Sequence, residues 1–394
     1  MDVCDDVLLE ILARLPPKVV FKFRCVSKRW NKIINSPFFL RSYGERRKGS
    51  FAGSLLGFMH GFMQNKTRYT YTCGNPHLPS KPPIRILPLL GDQIFTVPSK
   101  LGYFISASNG LVLCGHQPMT YYVMNLLTKK WVSLPSPHSA YEVKSIELVC
   151  EESTTQLVAN YKVVRTCIPS DLEVDNKLTI QTYSSKTGKW AESILVATSN
   201  PLSLCDPPIV LNGVFHWSVF EKYIAVYDSN DIGRENHLQM IKNPPAERML
   251  VSSVFSRSSD GLLWCGYYTG LSMQIWTLPK GENGYKRSCN IPAKDWSLVH
   301  TVTLDSLCND YSALSYLREE LKNGHLDLYM LALIPWNPLI VVFRIDETIF
   351  LYNAESKSME TVRLRYHDQP TIVPFDDYWH PYFESPFLSS YALQ

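Results

Sequence analysis

Cys114 and His116 stand two residues apart in the sequence, a spacing at which an imidazole could take the proton from a thiol and make a nucleophile. A working pair also needs a third group to orient the base, and adjoining strand and turn positions supply none. His216, beside Trp217 in an apolar run, reads as a hydrogen-bonded, half-buried strand residue rather than a ligand. The ten cysteines, scattered from Cys4 to Cys308, form no C-x-x-C pair, so neither a zinc site nor a dithiol motif is spelled out. The phosphate-cradling G-x-x-x-x-G-K-S/T, the zinc-binding H-E-x-x-H and the nucleophile-bearing G-x-S-x-G are all missing from the sequence. The expectation is a binding protein and not an enzyme, with no catalytic residue, metal ligand or cofactor assigned. The nine tryptophans fit strand-rich cores better than a sugar platform.

The elements that would position a binding surface divide the chain in two. At 394 residues it exceeds the size at which one core stops growing, and 45% hydrophobic against 19% charged residues provides for folded cores. Residues 1 to 50 carry 11 Lys/Arg against 5 Asp/Glu, leaving 28 against 31 for the rest, so the head is basic and the body nearly neutral. The basic residues alternate with apolar ones at helical spacing, which makes them the wet face of packed helices rather than a nucleic-acid surface. Scattered cysteines and no secretory leader point to reduced thiols in the cytoplasm or nucleus. The Asn65-Lys66-Thr67 sequon then carries no information. The most apolar stretch, Leu328 to Phe343, is broken by Pro335 and Pro338, and reads as two buried strands rather than a membrane span.

In the head, Asp5 and Asp6 can cap a helix and complement its positive end, and the apolar positions of that helix are Leu8, Ile11, Leu12 and Leu15. Pro16-Pro17 ends it, and Pro17 can open a second helix with Val19, Val20, Phe23 and Val26 on its apolar side. Ser27 caps a third, carrying Trp30, Ile33 and Ile34, which Ser36-Pro37 stops. Three helices of this size bury little by themselves, so one side is expected either to meet another protein or to pack on the body.

The run from Val7 to Phe39 resembles the plant F-box in nearly every patterned position. The resemblance implies binding to a Skp-family adaptor, and through it to the cullin and RING subunits of a ubiquitin ligase. It implies an adaptor contact made by Leu8, Ile11, Leu12, Leu15, Pro16, Val20, Cys25, Val26 and Trp30. Some of these must also serve the head's own core. Where the family has Leu-Pro ahead of the acidic cap, this sequence has Val3 and Cys4; Val3 keeps an apolar contact, but Cys4 lacks the fixed backbone of proline.

After Tyr43 comes a polar linker, Arg46 to Ser50, and then short apolar runs alternate with Gly, Pro, Asn and Ser clusters, which predicts many short strands. Leu314 to Lys322 is the main helical exception. A weak repeat of strand, polar turn and strand recurs at Tyr122 to Pro135, at Thr182 to Trp190 with Gly188 in the turn, from Ile224–Asp228 to Leu238–Ile241, from Met273–Leu278 to Tyr285–Arg287, and from Ile349–Asn353 to Met359–Val362. Its spacing of roughly 45 to 70 residues approaches the blade periods of propellers. Ser108 to Cys114, Val210 to Trp217 and Ser259 to Cys265 each set Asn-Gly or Asp-Gly before an apolar strand.

These stretches resemble the plant F-box-associated domain, with its SNGLVLC, NPxTKxWxxLP and LNGVxHW signatures; Leu126-Leu127 stand where the family has Asn-Pro. The fold expected is α+β multidomain, a small three-helix F-box (residues 1–45), a linker with the first propeller strands (46–100) and a mostly antiparallel, kelch-like β-propeller of six blades (101–394). The aromatic tail from Phe375 to Phe387 is expected to pack back on the first blade, an exposed aromatic contact site being the alternative. The function expected is substrate recognition for a Skp-cullin-F-box ligase. Its partners are the adaptor and an unidentified target protein, neither nucleic acid nor membrane, and no target-binding residue is assigned. The alternative is a propeller lectin or small-molecule receptor that retains an F-box.

Overall fold

The computed structural model describes residues 4–15, 17–47, 55–62, 85–88, 95–96, 98–108, 111–116, 119–125, 129–138, 142–150, 160–168, 177–197, 208–211, 213–219, 223–228, 237–245, 252–258, 261–278, 296–315, 317–323, 328–334, 337–345, 348–363 and 377–383. Val3, Pro16, the sequon at Asn65, Leu126-Leu127 and Tyr285–Arg287 lie outside them. By internal contact, residues 1–170, 179–193 and 376–394 form one compact unit, and residues 171–178 and 194–375 another.

The head consists of α1 (Asp5–Arg14), α2 (Pro17–Phe23), α3 (Lys28–Ile34) and α4 (Pro37–Arg47). The residue capping α1 is Cys4, which makes no side-chain cap bond, while Asp5 and Asp6 sit in the first turn. The expected aspartate cap is thus not formed, while the two charges complement the helix dipole as expected. Ser27 caps α3 as expected, its Oγ accepting from the Trp30 N–H at 3.1 Å. Three helices were expected, and the described residues of the head form four. Pro37 stops α3 but also opens α4, because the N–H that proline lacks has no partner in a first helical turn. Ser36 Oγ completes that start by accepting from the Phe39 N–H at 3.2 Å. The polar linker expected from Arg46 accordingly begins inside a helix.

Leu8, Leu12 and Ala13 of α1, Val20 of α2, Ile34 of α3, and Phe39, Leu40 and Tyr43 of α4 form one buried cluster, all of whose described members belong to the head. The Tyr43 hydroxyl donates to the Leu15 carbonyl at 2.6 Å, fastening the end of α1 to α4. The fourth helix therefore supplies three of the eight buried residues that a three-helix head would lack.

The rest is strands: β1 (Leu55–Phe62), β2 (Arg85–Pro88), β3 (Phe95–Thr96), β4 (Tyr103–Ser108), β5 (Leu111–His116), β6 (Thr120–Asn125), β7 (Trp131–Ser133), β8 (Glu142–Cys150), β9 (Tyr161–Ile168), β10 (Lys177–Ser184), β11 (Lys189–Ala197), β12 (Ile209–Leu211), β13 (Val214–Val219), β14 (Tyr223–Asp228), β15 (His237–Lys242), β16 (Ser252–Arg257), β17 (Leu263–Tyr268), β18 (Ser272–Leu278) and β19 (Ser297–Thr303). Three short helices follow, α5 (Leu304–Asp310), α6 (Ser312–Ser315) and α7 (Arg318–Lys322). The chain continues with β20 (Leu328–Ile334), β21 (Asn337–Ile345), β22 (Thr348–Asn353), β23 (Ser358–Arg363) and β24 (Asp377–Phe383).

The predicted hairpins are present at β6–β7, β10–β11, β14–β15 and β22–β23. Gly188 turns the second of these at φ 68°, a backbone that L side chains disfavour. β18 pairs antiparallel with both β17 and β19, and the stretch expected at Tyr285–Arg287 lies outside the described residues. Leu328 to Phe343 is a strand pair, with Ile334 opposite Asn337. No helix among the described residues is long and apolar enough to cross a membrane.

Hydrogen bonding orders the described strands into five sheets, where six separate blades were expected. Four sheets have four strands (β24-β1-β2-β3, β4 to β7, β16 to β19 and β20 to β23), and the fifth has eight, β12-β13-β14-β15-β11-β10-β9-β8. The difference is one short parallel pairing. Val196 and Ala197 of β11 align with His237 and Leu238 of β15, and this merges two four-stranded meanders into one sheet. The first sheet is completed from the far end of the sequence: β24 lies antiparallel to β1 from Leu55–Phe383 to Phe62–Asp377. The backbone of the aromatic tail thus joins the first sheet as expected.

Candidate functional site

The sequence places ten residues at the adaptor contact, and the structure distributes the eight it describes over three environments. Leu8, Leu12 and Val20 are buried in the head's own core at 3%, 0% and 0% exposure. Leu15 and Trp30 are half-buried against that core, and the Trp30 ring meets Phe23 edge-on at 5.3 Å. Ile11 and Val26 are open to solvent at 47% and 58%, and Cys25 is exposed too. Two further apolar side chains that the pattern reading did not select are also exposed, Val7 at 52% and Phe38 at 71%. Val7 lies one turn before Ile11 on α1, so a four-residue spacing could have found it; Phe38 belongs to the helix that the sequence reading did not foresee. Asp5 accepts from the Arg29 guanidinium at 2.7 Å, which holds the start of α1 against α3, just after Cys25 and Val26.

The only thiol–imidazole spacing weighed in the sequence does not give a nucleophile. Cys114 is fully buried in β5 and burial pushes its thiol up to about 12, so it stays protonated. The His116 ring Nε2 lies 3.2 Å from the Lys100 carbonyl. Gly102 allows that approach: at φ 79° a Cβ there would sit 2.1 Å from the Gly115 carbonyl oxygen. His216 is buried with Nδ1 3.3 Å from the Ile209 carbonyl. Burial drives its imidazole down to about 4 against the pull of backbone hydrogen bonds to Ile209 and Val214, so it is neutral at pH 7. Among the described residues no group of three His, Cys, Asp or Glu side chains could hold a metal ion.

What the strands do position is a set of polar links inside each compact unit. In the first, the fully buried Arg165 guanidinium lies 5.6 Å from the Tyr121 ring centre and 6.0 Å from that of Trp190. It donates to Gln181 Oε1, and Gln181 Nε2 passes the link to the Glu192 carboxylate at 2.9 Å. A cation is thus carried between two sheets on ring faces and amide dipoles, which offsets part of its desolvation. Between the same two sheets, Ser106 Oγ of β4 donates to Glu147 Oε1 of β8 at 2.6 Å and accepts from the Leu148 N–H at 3.2 Å. Burial pushes the Glu147 carboxyl up to about 8, the Ser106 bond opposing it, so the group is mostly neutral at pH 7.

Two devices recur. Trp190, near the start of β11, donates its indole N–H to the Pro135 carbonyl beyond β7 at 2.7 Å, and Trp296, just before β19, donates to the Lys242 carbonyl ending β15 at 2.8 Å. In both cases an outer strand is tied to the outer strand of the preceding meander. Serines link the opening strands: Cys150 N–H donates to Ser108 Oγ at 3.3 Å, and Met330 N–H to Ser252 Oγ at 2.9 Å. These ties fix the strands and leave the connecting loops free to vary in sequence, the general arrangement of a binding scaffold.

Comparison with known proteins agrees with both halves. Residues 1–42 match the F-box domain, and residues 64–316 match the family described as F-box protein At3g26010-like, beta-propeller. F-box protein At5g03970 of Arabidopsis thaliana is 31% identical over 399 residues, which cover 99% of this chain and 90% of that protein. F-box protein At1g49990 of the same plant is 27% identical, over 60% of this chain and 62% of its own length. F-box protein At3g26010, also from Arabidopsis thaliana, is 30% identical over 47% of this chain and 42% of that protein.

Proposed function

The chain belongs to the F-box proteins that carry a C-terminal β-propeller, and from that premise we propose that it is the substrate-recognition subunit of a Skp-cullin-F-box ubiquitin ligase. One observation carries the proposal. The head completes its own core and still presents Val7, Ile11, Val26 and Phe38 to solvent, apolar area that a second protein would bury to advantage. In this reading Ile11, Cys25 and Val26 touch the Skp-family adaptor, with Leu15 and Trp30 at the rim of the contact and Val3 and Pro16 flanking it. Leu8, Leu12 and Val20 act indirectly, by holding α1 and α2 in place. Cullin and RING subunits join through the adaptor.

The propeller, read as six four-stranded repeats of which two share the eight-stranded sheet, holds the target protein in the cytoplasm or nucleus. Holding the target beside the ligase makes ubiquitin transfer effectively intramolecular, so the chain contributes position and not covalent chemistry. The test is direct binding of the purified chain to a recombinant Skp-family adaptor. Ile11→Asp combined with Val26→Asp should weaken it about tenfold or more, since each buries one apolar side chain on association. Circular dichroism should show the fold unchanged, both positions being exposed. Undiminished adaptor binding by this variant would remove the proposed contact.

A further inference from the structure

Three side-chain oxygens buried on the β8–β9 pair have no hydrogen-bond partner among the described residues. They are Ser145 Oγ, Glu147 Oε2 and Thr166 Oγ1, on residues 6%, 9% and 0% exposed. The register brings them together. Ser145 lies directly opposite Thr166, and Glu147, opposite Val164, follows two positions along β8, so all three project from one face of the pair. Arg165, opposite Ile146, projects from the other face and does not serve them. The fourth polar atom nearby, Ser106 Oγ, is already committed to Glu147 Oε1 and the Leu148 N–H.

Buried hydroxyl and carboxyl groups without partners are costly, and folded proteins satisfy them either directly or through internal water. We propose that Ser145, Glu147 and Thr166 form a binding site for an internal water molecule, which links the carboxyl group to the two hydroxyls. Each of the three oxygens then gains a hydrogen bond. Protonated Glu147 donates from Oε2 to the water oxygen; the water donates its two hydrogens to the Ser145 and Thr166 oxygens. A water with three polar partners matches the usual coordination of buried water. A monovalent cation would use the same oxygens, but it requires an ionised carboxylate, and burial favours the neutral acid here.

Oxygen-17 magnetic relaxation dispersion on the full chain counts long-lived internal waters and tests this directly. Wild type compared with Thr166→Val should show a dispersion amplitude lower by the contribution of one water, whereas Thr166→Ser, which retains the hydroxyl, should match wild type. Should Thr166→Val fail to fold, Ser145→Ala serves in its place with the same expected loss. An unchanged amplitude in the folded variant overturns the proposal. So does a melting temperature that depends on whether sodium, potassium or caesium is present at fixed ionic strength and loses that dependence in the variant, because the occupant would then be a cation.

Discussion

Glu147 and His216 carry opposite proton linkages, and their ranges separate them. The Glu147 carboxyl rises from an ordinary 4.5 to about 8, so between those values the folded chain holds a proton that the unfolded chain has lost. Its contribution to stability therefore falls as pH rises through this range, at up to about 1.4 kcal/mol per pH unit. The His216 imidazole falls from 6.5 to about 4, so its contribution is complete above 6.5 and is lost on acidification toward 4. Below pH 6.5 the two slopes oppose each other; from 6.5 to 8 the carboxyl acts without that opposition. We expect thermal melts at pH 6.5 and 8.0 to show wild type losing stability with rising pH and Glu147→Gln losing much less. Equal slopes in the two proteins would show that the carboxyl is already ionised. Nothing in the sequence announced this residue, because Glu147 sits in a run of strand residues whose burial depends on β4 packing alongside.

Periodicity along α1 marked Leu8, Ile11, Leu12 and Leu15 as one apolar side, but it could not say which of them a neighbouring helix would cover. Leu12 is fully buried and its neighbour Ile11 nearly half exposed, so substitutions at the two should differ in kind. Leu12→Ala is expected to destabilise the head by about 2 to 5 kcal/mol through a cavity, lowering adaptor binding only along with helicity. Chemical denaturation followed by far-ultraviolet circular dichroism distinguishes it from the Ile11 and Val26 substitutions, which should leave the midpoint in place. The strand hairpins were legible because their turns have strict backbone demands. Gly188, where a Cβ would meet nothing within 4 Å among the described residues, isolates that demand: Gly188→Ala meets no clash there and should cost about 1 to 2 kcal/mol from the left-handed backbone. The fourth helix was not legible, since Ser-Pro both ends and begins helices and only packing by Phe39, Leu40 and Tyr43 decides that it does both.

At the scale of the whole chain, the strand-rich body and its repeat were readable from hairpin spacing, whereas sheet count was not. Two residue pairs, Val196–His237 and Ala197–Leu238, decide whether two meanders are separate sheets or one, and no periodic pattern encodes so short a pairing. The recurrence of the tryptophan tie at Trp190 and Trp296 gives a measure of each repeat that does not depend on it. Trp190→Phe and Trp296→Phe should each cost about 1 kcal/mol by stranding a carbonyl, read from the denaturation midpoint. Removing residues 376–394 would leave an edge of β1 unpaired, and the truncated chain should aggregate at concentrations where the full chain elutes as a single species on size exclusion.

Pairing Leu55–Phe62 with Asp377–Phe383 also sets a schedule for biosynthesis. The strand that opens the body leaves the ribosome about 300 residues ahead of the neighbour that completes its sheet. Throughout elongation the nascent chain must keep that edge shielded, a task suited to chaperones. A premature stop upstream of residue 377 would give a product recognisable to quality control by its unfinished first sheet.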